Sequence, residues 1–94
     1  MKVRIPSMLR SYTSNLKFVE IDGNTVKEVF INLDKKFPGI KFRFIDERNQ
    51  VRAHMRVYLN QILIEDFNKE VDDTDEIFIT QSLSGGNLTI RPIT

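Results

Sequence analysis

The sequence predicts an α+β domain in which one main helix packs on one face of a mixed sheet of four to five strands. Three observations predict it. Apolar residues alternate with period two near the start, in the middle and near the end of the chain. A single strong helical period lies between the first and second of these runs. No internal repeat or low-complexity segment interrupts the order strand, strand, helix, connector, strand, short strand, loop, strand.

The start, "KVRIPSMLRSY", places Val3 and Ile5 on one side and Arg4 and Pro6 on the other, as a half-buried strand does. Pro6 lacks an N–H and marks a bend or an unpaired position. "SYTSN" reads as a turn into a second strand, "LKFVEID", and the two strands form a hairpin. Both faces of the second strand carry apolar residues, so whether Phe18 or Val19 faces inward stays open.

"GNTVKEVFINLDKKFPG" is the helix. Val26, Val29, Phe30 and Leu33 recur at i, i+3, i+4 and i+7, one apolar stripe facing a core. Thr25 and Glu28 have capping-box spacing, and Gly23-Asn24 supplies a lead-in turn. Lys35 and Lys36 suit the negative end of the helix dipole, and Pro38-Gly39 stops the helix.

"IKFRFIDERNQVR" mixes aromatic residues with charges. A nucleic-acid stacking surface would use such residues, but the net charge of +1 gives no electrostatic pull toward a polyanion. A connector whose Phe42 or Phe44 plugs the end of the core is the reading adopted. "AHMRVYLNQILI" then alternates Met55, Val57 and Leu59 against His54, Arg56 and Tyr58, with Asn60-Gln61 turning into the short strand "ILI". The acidic loop "EDFNKEVDDTDE" lacks the glycine and distal glutamate of a calcium loop. "EIFITQSL" is the last strand, with Ile77 and Ile79 inward and Phe78 and Thr80 outward.

Composition removes several functions. The 94 residues make one domain, 40% hydrophobic and 29% charged. Cysteine is absent, which excludes disulfides, thiol nucleophiles and Cys-based zinc sites; a lone histidine, His54, excludes a His-rich metal site. No long apolar run and no leader are present, giving the expectation of a cytoplasmic chain with no membrane partner.

The order and spacing of these pieces resemble the ubiquitin-like sulfur carriers of the ThiS/MoaD type. This group includes the small subunit of molybdopterin synthase, the thiamine sulfur carrier and the carriers of cysteine synthesis. The resemblance rests on "VRIP…LR", "GNTVKEVFINLDKKFPGI", "VYLNQ", "DDTDEIFI" and "LSGG", which together span residues 2 to 86. Two departures stand out: Asp72-Asp73-Thr74-Asp75 lacks the family's usual glycine, and eight residues follow Gly86, where most members stop. "LR" and "SGG" lean toward the cysteine/homocysteine-type carriers.

The resemblance implies a ubiquitin-like β-grasp fold over residues 1–86 and a cleavable extension over 87–94. It implies a non-enzymatic carrier whose working group is the carboxylate of Gly86, at the end of a flexible Ser84-Gly85-Gly86 motif. An adenylating enzyme of the ubiquitin-activating type would activate that carboxylate with ATP, and a sulfur donor would convert it to a thiocarboxylate, which needs no thiol in the carrier. The product would serve a sulfide-accepting biosynthetic enzyme. Because Gly86 is internal, its carbonyl is held in the amide to Asn87, so a protease must cut between Gly86 and Asn87. A JAMM-type metalloprotease is the implied agent, its zinc using a bound water; ATP and zinc belong to partners, and this chain binds no cofactor. The free chain is expected to be a monomer.

Without a fold, "IFITQSL-SGGN-LTIRPIT" also reads as a hairpin. In a β-grasp sheet the last strand lies in the middle, leaving no edge for "LTIRPIT", and Pro92 weakens a strand there. Extended, residues 87–94 would reach about 26 Å. The sheet face opposite the helix is the expected docking surface, carrying Pro6, Arg56, Tyr58, Leu63 and Phe78, with Phe78 as anchor. Two alternatives share the same fold: a ubiquitin-like modifier conjugated through Gly86, and the small subunit of molybdopterin synthase.

Overall fold

The computed structural model describes residues 1–82. Strands β1 (Lys2–Arg4), β2 (Phe18–Glu20), β3 (Met55–Leu59), β4 (Ile62–Leu63) and β5 (Glu76–Gln81) form one sheet in the order β2-β1-β5-β3-β4. Strand β1 runs antiparallel to β2 and parallel to β5, while β5 and β3, and β3 and β4, are antiparallel. The helix α1 (Val26–Lys36) sends Val26, Val29, Phe30 and Leu33 into the core, as the stripe requires. They meet Val3, Val19, Met55, Val57, Ile77 and Ile79, one from every second position of the long strands. This is the mixed β-grasp sheet with its helix on one face.

The helix start shows how local chemistry fixes its position. Thr25 Oγ1 accepts from the Glu28 N–H at 3.1 Å, and Glu28 Oε1 accepts from the Asn24 N–H at 2.7 Å. The reciprocal bond therefore reaches one residue further back than the usual capping box. Gly23 is required by packing: a Cβ there would stand 2.6 Å from Val29 Cγ2 and 2.8 Å from Val29 N. At the other end Gly39 has φ +94°, a conformation that favours glycine. Asp34 Oδ1 accepts from the N–H groups of Gly39 and Lys41 and holds that turn.

Two stretches differ from the sequence reading. The first strand ends at Arg4, and "SMLRSYT" is a 3₁₀-helix, Ser7–Thr13, instead of more strand and a short turn. Pro6 breaks the ladder, and Leu9 and Thr13 are then buried by the helical turn. Thr13 Oγ1 lies 3.2 Å from Arg10 O and 3.0 Å from Leu16 O, which satisfies a hydroxyl with no access to water. Ser14 and Asn15 at φ 55° and 67° reverse the chain into β2. The connector also contains a short helix, α2 (Lys41–Phe44), which the mixed pattern did not reveal.

The open choices are settled by burial. Val19 faces the core and Phe18 faces solvent; Phe44 is buried and Phe42 is 56% exposed. Phe44 packs edge-on against Phe30 with ring centroids 5.0 Å apart. Asn60 and Gln61 both have positive φ, the tight two-residue turn expected between β3 and β4. The acidic turn is stabilised by its own carboxylates: Asp72 accepts from the Thr74 N–H, and Asp75 accepts from the Asp72 N–H and from Asn60 Nδ2. Among the described residues no metal-binding cluster of His, Cys, Asp or Glu occurs, and no helix is long and apolar enough to cross a membrane.

A candidate docking site on the open sheet face

Alternation leaves the other sheet face without a helix. Across it the strand registers align one residue from each strand: Phe18 opposite Arg4, Arg4 opposite Phe78, Phe78 opposite Tyr58, and Tyr58 opposite Leu63. The result is a single row crossing all five strands, aromatic or aliphatic at every position except Arg4. Phe18 and Leu63, at the two edges, are about half exposed (45% and 51%), so the row is open to a partner at both ends.

Arg4 belongs to this row through its packing. Its guanidinium carbon lies 5.3 Å from the Phe78 ring centroid and 5.8 Å from that of Phe18. Its Nε donates to Glu76 Oε2 at 2.6 Å, which fixes the planar head between the two rings. Lys2 adds a second cation, with Nζ 4.6 Å from the Phe18 centroid. An exposed aromatic row kept in place by cations is a rigid surface able to bury apolar area without first ordering itself.

Of the docking residues read from the sequence, Tyr58, Leu63 and Phe78 stand together in the row. Arg56 sits one rung away, opposite Thr80, and its Nη1 folds back to donate to the carbonyls of Met55 and Ala53. Pro6 lies past the end of β1, where it lines a cleft of about 400 Å³ with Arg4, Arg10, Lys17, Phe78 and Thr80. The sequence reading missed Phe18, Arg4 and Lys2. The signal for Phe18 was there: Val19 and Ile21 form the apolar period-two pair, which puts Phe18 with Glu20 outside.

Strand β5 is paired on both sides at Ile77 and Phe78, but only by β3 over Ile79–Gln81, because β1 has ended. The closed edge expected along the last strand therefore covers its first half, and the basic cleft faces the second half. Ser84, Gly85, Gly86 and Asn87, the terminal motif and cleavage point read from the sequence, lie outside the described residues.

A β-grasp sheet of this order, with its outer face free, defines a ubiquitin-like protein. The chain belongs to the ThiS family, whose model matches residues 3–86, so the protein is a member of the ubiquitin-like sulfur-carrier group. It is similar to the sulfur carrier protein CysO of Mycobacterium tuberculosis, 28% identical over 92 residues that cover 89% of this chain and 96% of that one. Among solved structures it resembles a chain of the Amycolatopsis orientalis BexX/CysO complex, at 32% identity and TM-score 0.80 over 90% of this chain and 98% of that one. The crystal structure of M. tuberculosis CysO has a TM-score of 0.82 at 24% identity, covering 87% and 98%, a likeness of fold.

Proposed function

We propose that this chain is a non-enzymatic sulfur carrier that works through the carboxylate of Gly86 after residues 87–94 are removed. The observation that carries the reading is the extent of the family match, which ends on the second glycine of "SGG" and leaves eight residues beyond it. Similarity to proteins named sulfur carriers supports the role.

The chemistry follows from the nature of a carboxylate, which is a poor electrophile. An adenylating enzyme transfers AMP from ATP to it and releases pyrophosphate. A sulfur donor then displaces AMP at the acyl carbon, leaving a terminal thiocarboxylate for a sulfide-accepting biosynthetic enzyme, of cysteine or homocysteine type. Two glycines suit a segment that must enter a narrow channel, since neither carries a side chain. This chain contributes the acyl group and the docking face; ATP and the zinc of a JAMM-type protease are the partners' own. The row from Phe18 to Leu63, with Phe78 at its centre, is the surface a partner would cover, and the pairing of a relative's CysO with BexX supports a carrier that works in complex.

Intact mass after expression beside the native gene neighbours tests the reading. Loss of Asn87 to Thr94 and replacement of one terminal oxygen by sulfur is the expected result. Persistence of an active, full-length chain overturns it, and an isopeptide bond from Gly86 to a lysine of another protein would establish a modifier instead.

A further inference from the structure

On the helix side of the sheet, away from the docking row, lies a cavity of about 230 Å³ between α1, the residues after α2 and the loop after β4. Its floor is apolar: Phe30 and Ile45 are buried, and Phe67 packs edge-on to Phe30 at 5.3 Å. The other lining residues include two cations, Lys27 and Lys41, and two carboxylates, Glu65 and Asp66. None of these four forms an ion pair among the described residues. One oxygen of Asp66 accepts from the Asn68 N–H; the other has no protein donor among the described residues.

The walls are held before anything binds. The N–H groups of Val26 and Lys27 donate to Lys69 O and Phe67 O, stapling the loop to the first turn of α1. On the opposite wall Asn49 stands at φ 62°, in a turn tied by Asp46 Oδ1 to the N–H groups of Arg48 and Gln50. A fixed cavity loses little freedom on binding.

We propose that this cavity is a binding site for a zwitterionic amino acid with an apolar side chain. Charges of both signs around an apolar floor select a ligand that carries both charges and an apolar body. A simple anion would meet Glu65 and Asp66, and a neutral apolar molecule would leave all four charges unused. The volume lies below the roughly 300–1,000 Å³ typical of drug-sized sites, which suits a molecule of amino-acid size. The two aromatic rings among the lining residues, Phe30 and Phe67, favour an aromatic side chain in the ligand.

The test is an amide-resolved NMR titration of the full chain with L-phenylalanine, beside N-acetyl-L-phenylalanine, L-phenylalanine methyl ester and L-alanine. Saturable shifts at Lys27, Lys41, Asn49 and Asn68 are expected with L-phenylalanine. Masking either charge, or removing the ring, should weaken binding about tenfold or more, the weight of one charge-assisted contact or of the apolar body. Replacing both lysines, Lys27→Ala with Lys41→Ala, should weaken L-phenylalanine and leave the methyl ester unchanged. Absence of saturable shifts, or equal affinity for the zwitterion and both masked forms, overturns the site. Neither result touches the carrier reading, which the mass of the processed chain decides.

Discussion

Tyr58 on β3 and Phe78 on β5 stand directly opposite one another across an antiparallel pair, on the sheet face that α1 does not cover. Both are only half-buried, so their rings are held in place by the sheet yet remain open to contact. Phe78 also faces Arg4 on its other side, which puts it at the centre of the row. Phe78→Ala should therefore weaken partner-dependent adenylation about tenfold or more, as loss of a central aromatic anchor does. The folded state should lose little, because the ring lies outside the core. Adenylation kinetics beside a thermal melt separate the two effects, and an unchanged rate removes Phe78 from the interface.

Gly86→Ala should impair tail removal or adenylation while leaving the melting temperature within about a degree or two, as the carrier reading requires. Mass spectrometry of the cleavage reaction and a thermal melt read the two outcomes. A large fall in stability would instead make "SGG" a structural turn.

Phe42 and Phe44 make a paired test of burial. Phe44 is fully buried against Phe30, so Phe44→Ala should cost about 3–5 kcal/mol. Phe42 is mostly exposed beneath Arg52, whose Nε donates to Phe42 O, and Phe42→Ala should cost under about 1 kcal/mol. Denaturant unfolding of both variants checks the ratio.

Asp46 links stability to pH. The N–H of Gln50 holds its carboxyl below the ordinary value of 3.8, partial burial opposes this, and Arg48 adds to the lowering. A carboxylate depressed in the folded state stabilises it above the unfolded pKa, and that contribution is lost as pH falls through the lower folded value. Asp46→Asn should thus melt below wild type at pH 7, with the gap closing as the pH drops below about 3.8. A gap that persists at low pH would assign the effect to geometry rather than charge.

Much of the domain was legible because its signals are local. The stripe Val26, Val29, Phe30, Leu33 and the Thr25–Glu28 cap are set by neighbours within one or two helical turns. The positive-φ turn at Asn60-Gln61 and the inward Ile77 and Ile79 follow from turn chemistry and period two. The 3₁₀-helix Ser7–Thr13 was not legible, since what favours it is the burial of Leu9 and Thr13 by other elements. The short helix Lys41–Phe44 escaped for a different reason, one turn being too little for a period to show.

The candidate site divides along the same line. The sequence by itself determined that Arg56, Tyr58 and Phe78 leave the core, because alternation assigns a face to every residue of a strand. It also determined the absence of any thiol, so the proposed sulfur chemistry cannot use a side-chain thiol. Which outward residues become neighbours depends on strand order and register, and those are relations between segments far apart in the chain. Only the tertiary structure put Arg4 between Phe18 and Phe78, joining residues 4, 18 and 78 in one row. Only it placed Lys27, Lys41 and Glu65 around a single apolar floor. Local patterning decides which way a side chain points; long-range pairing decides what it points beside.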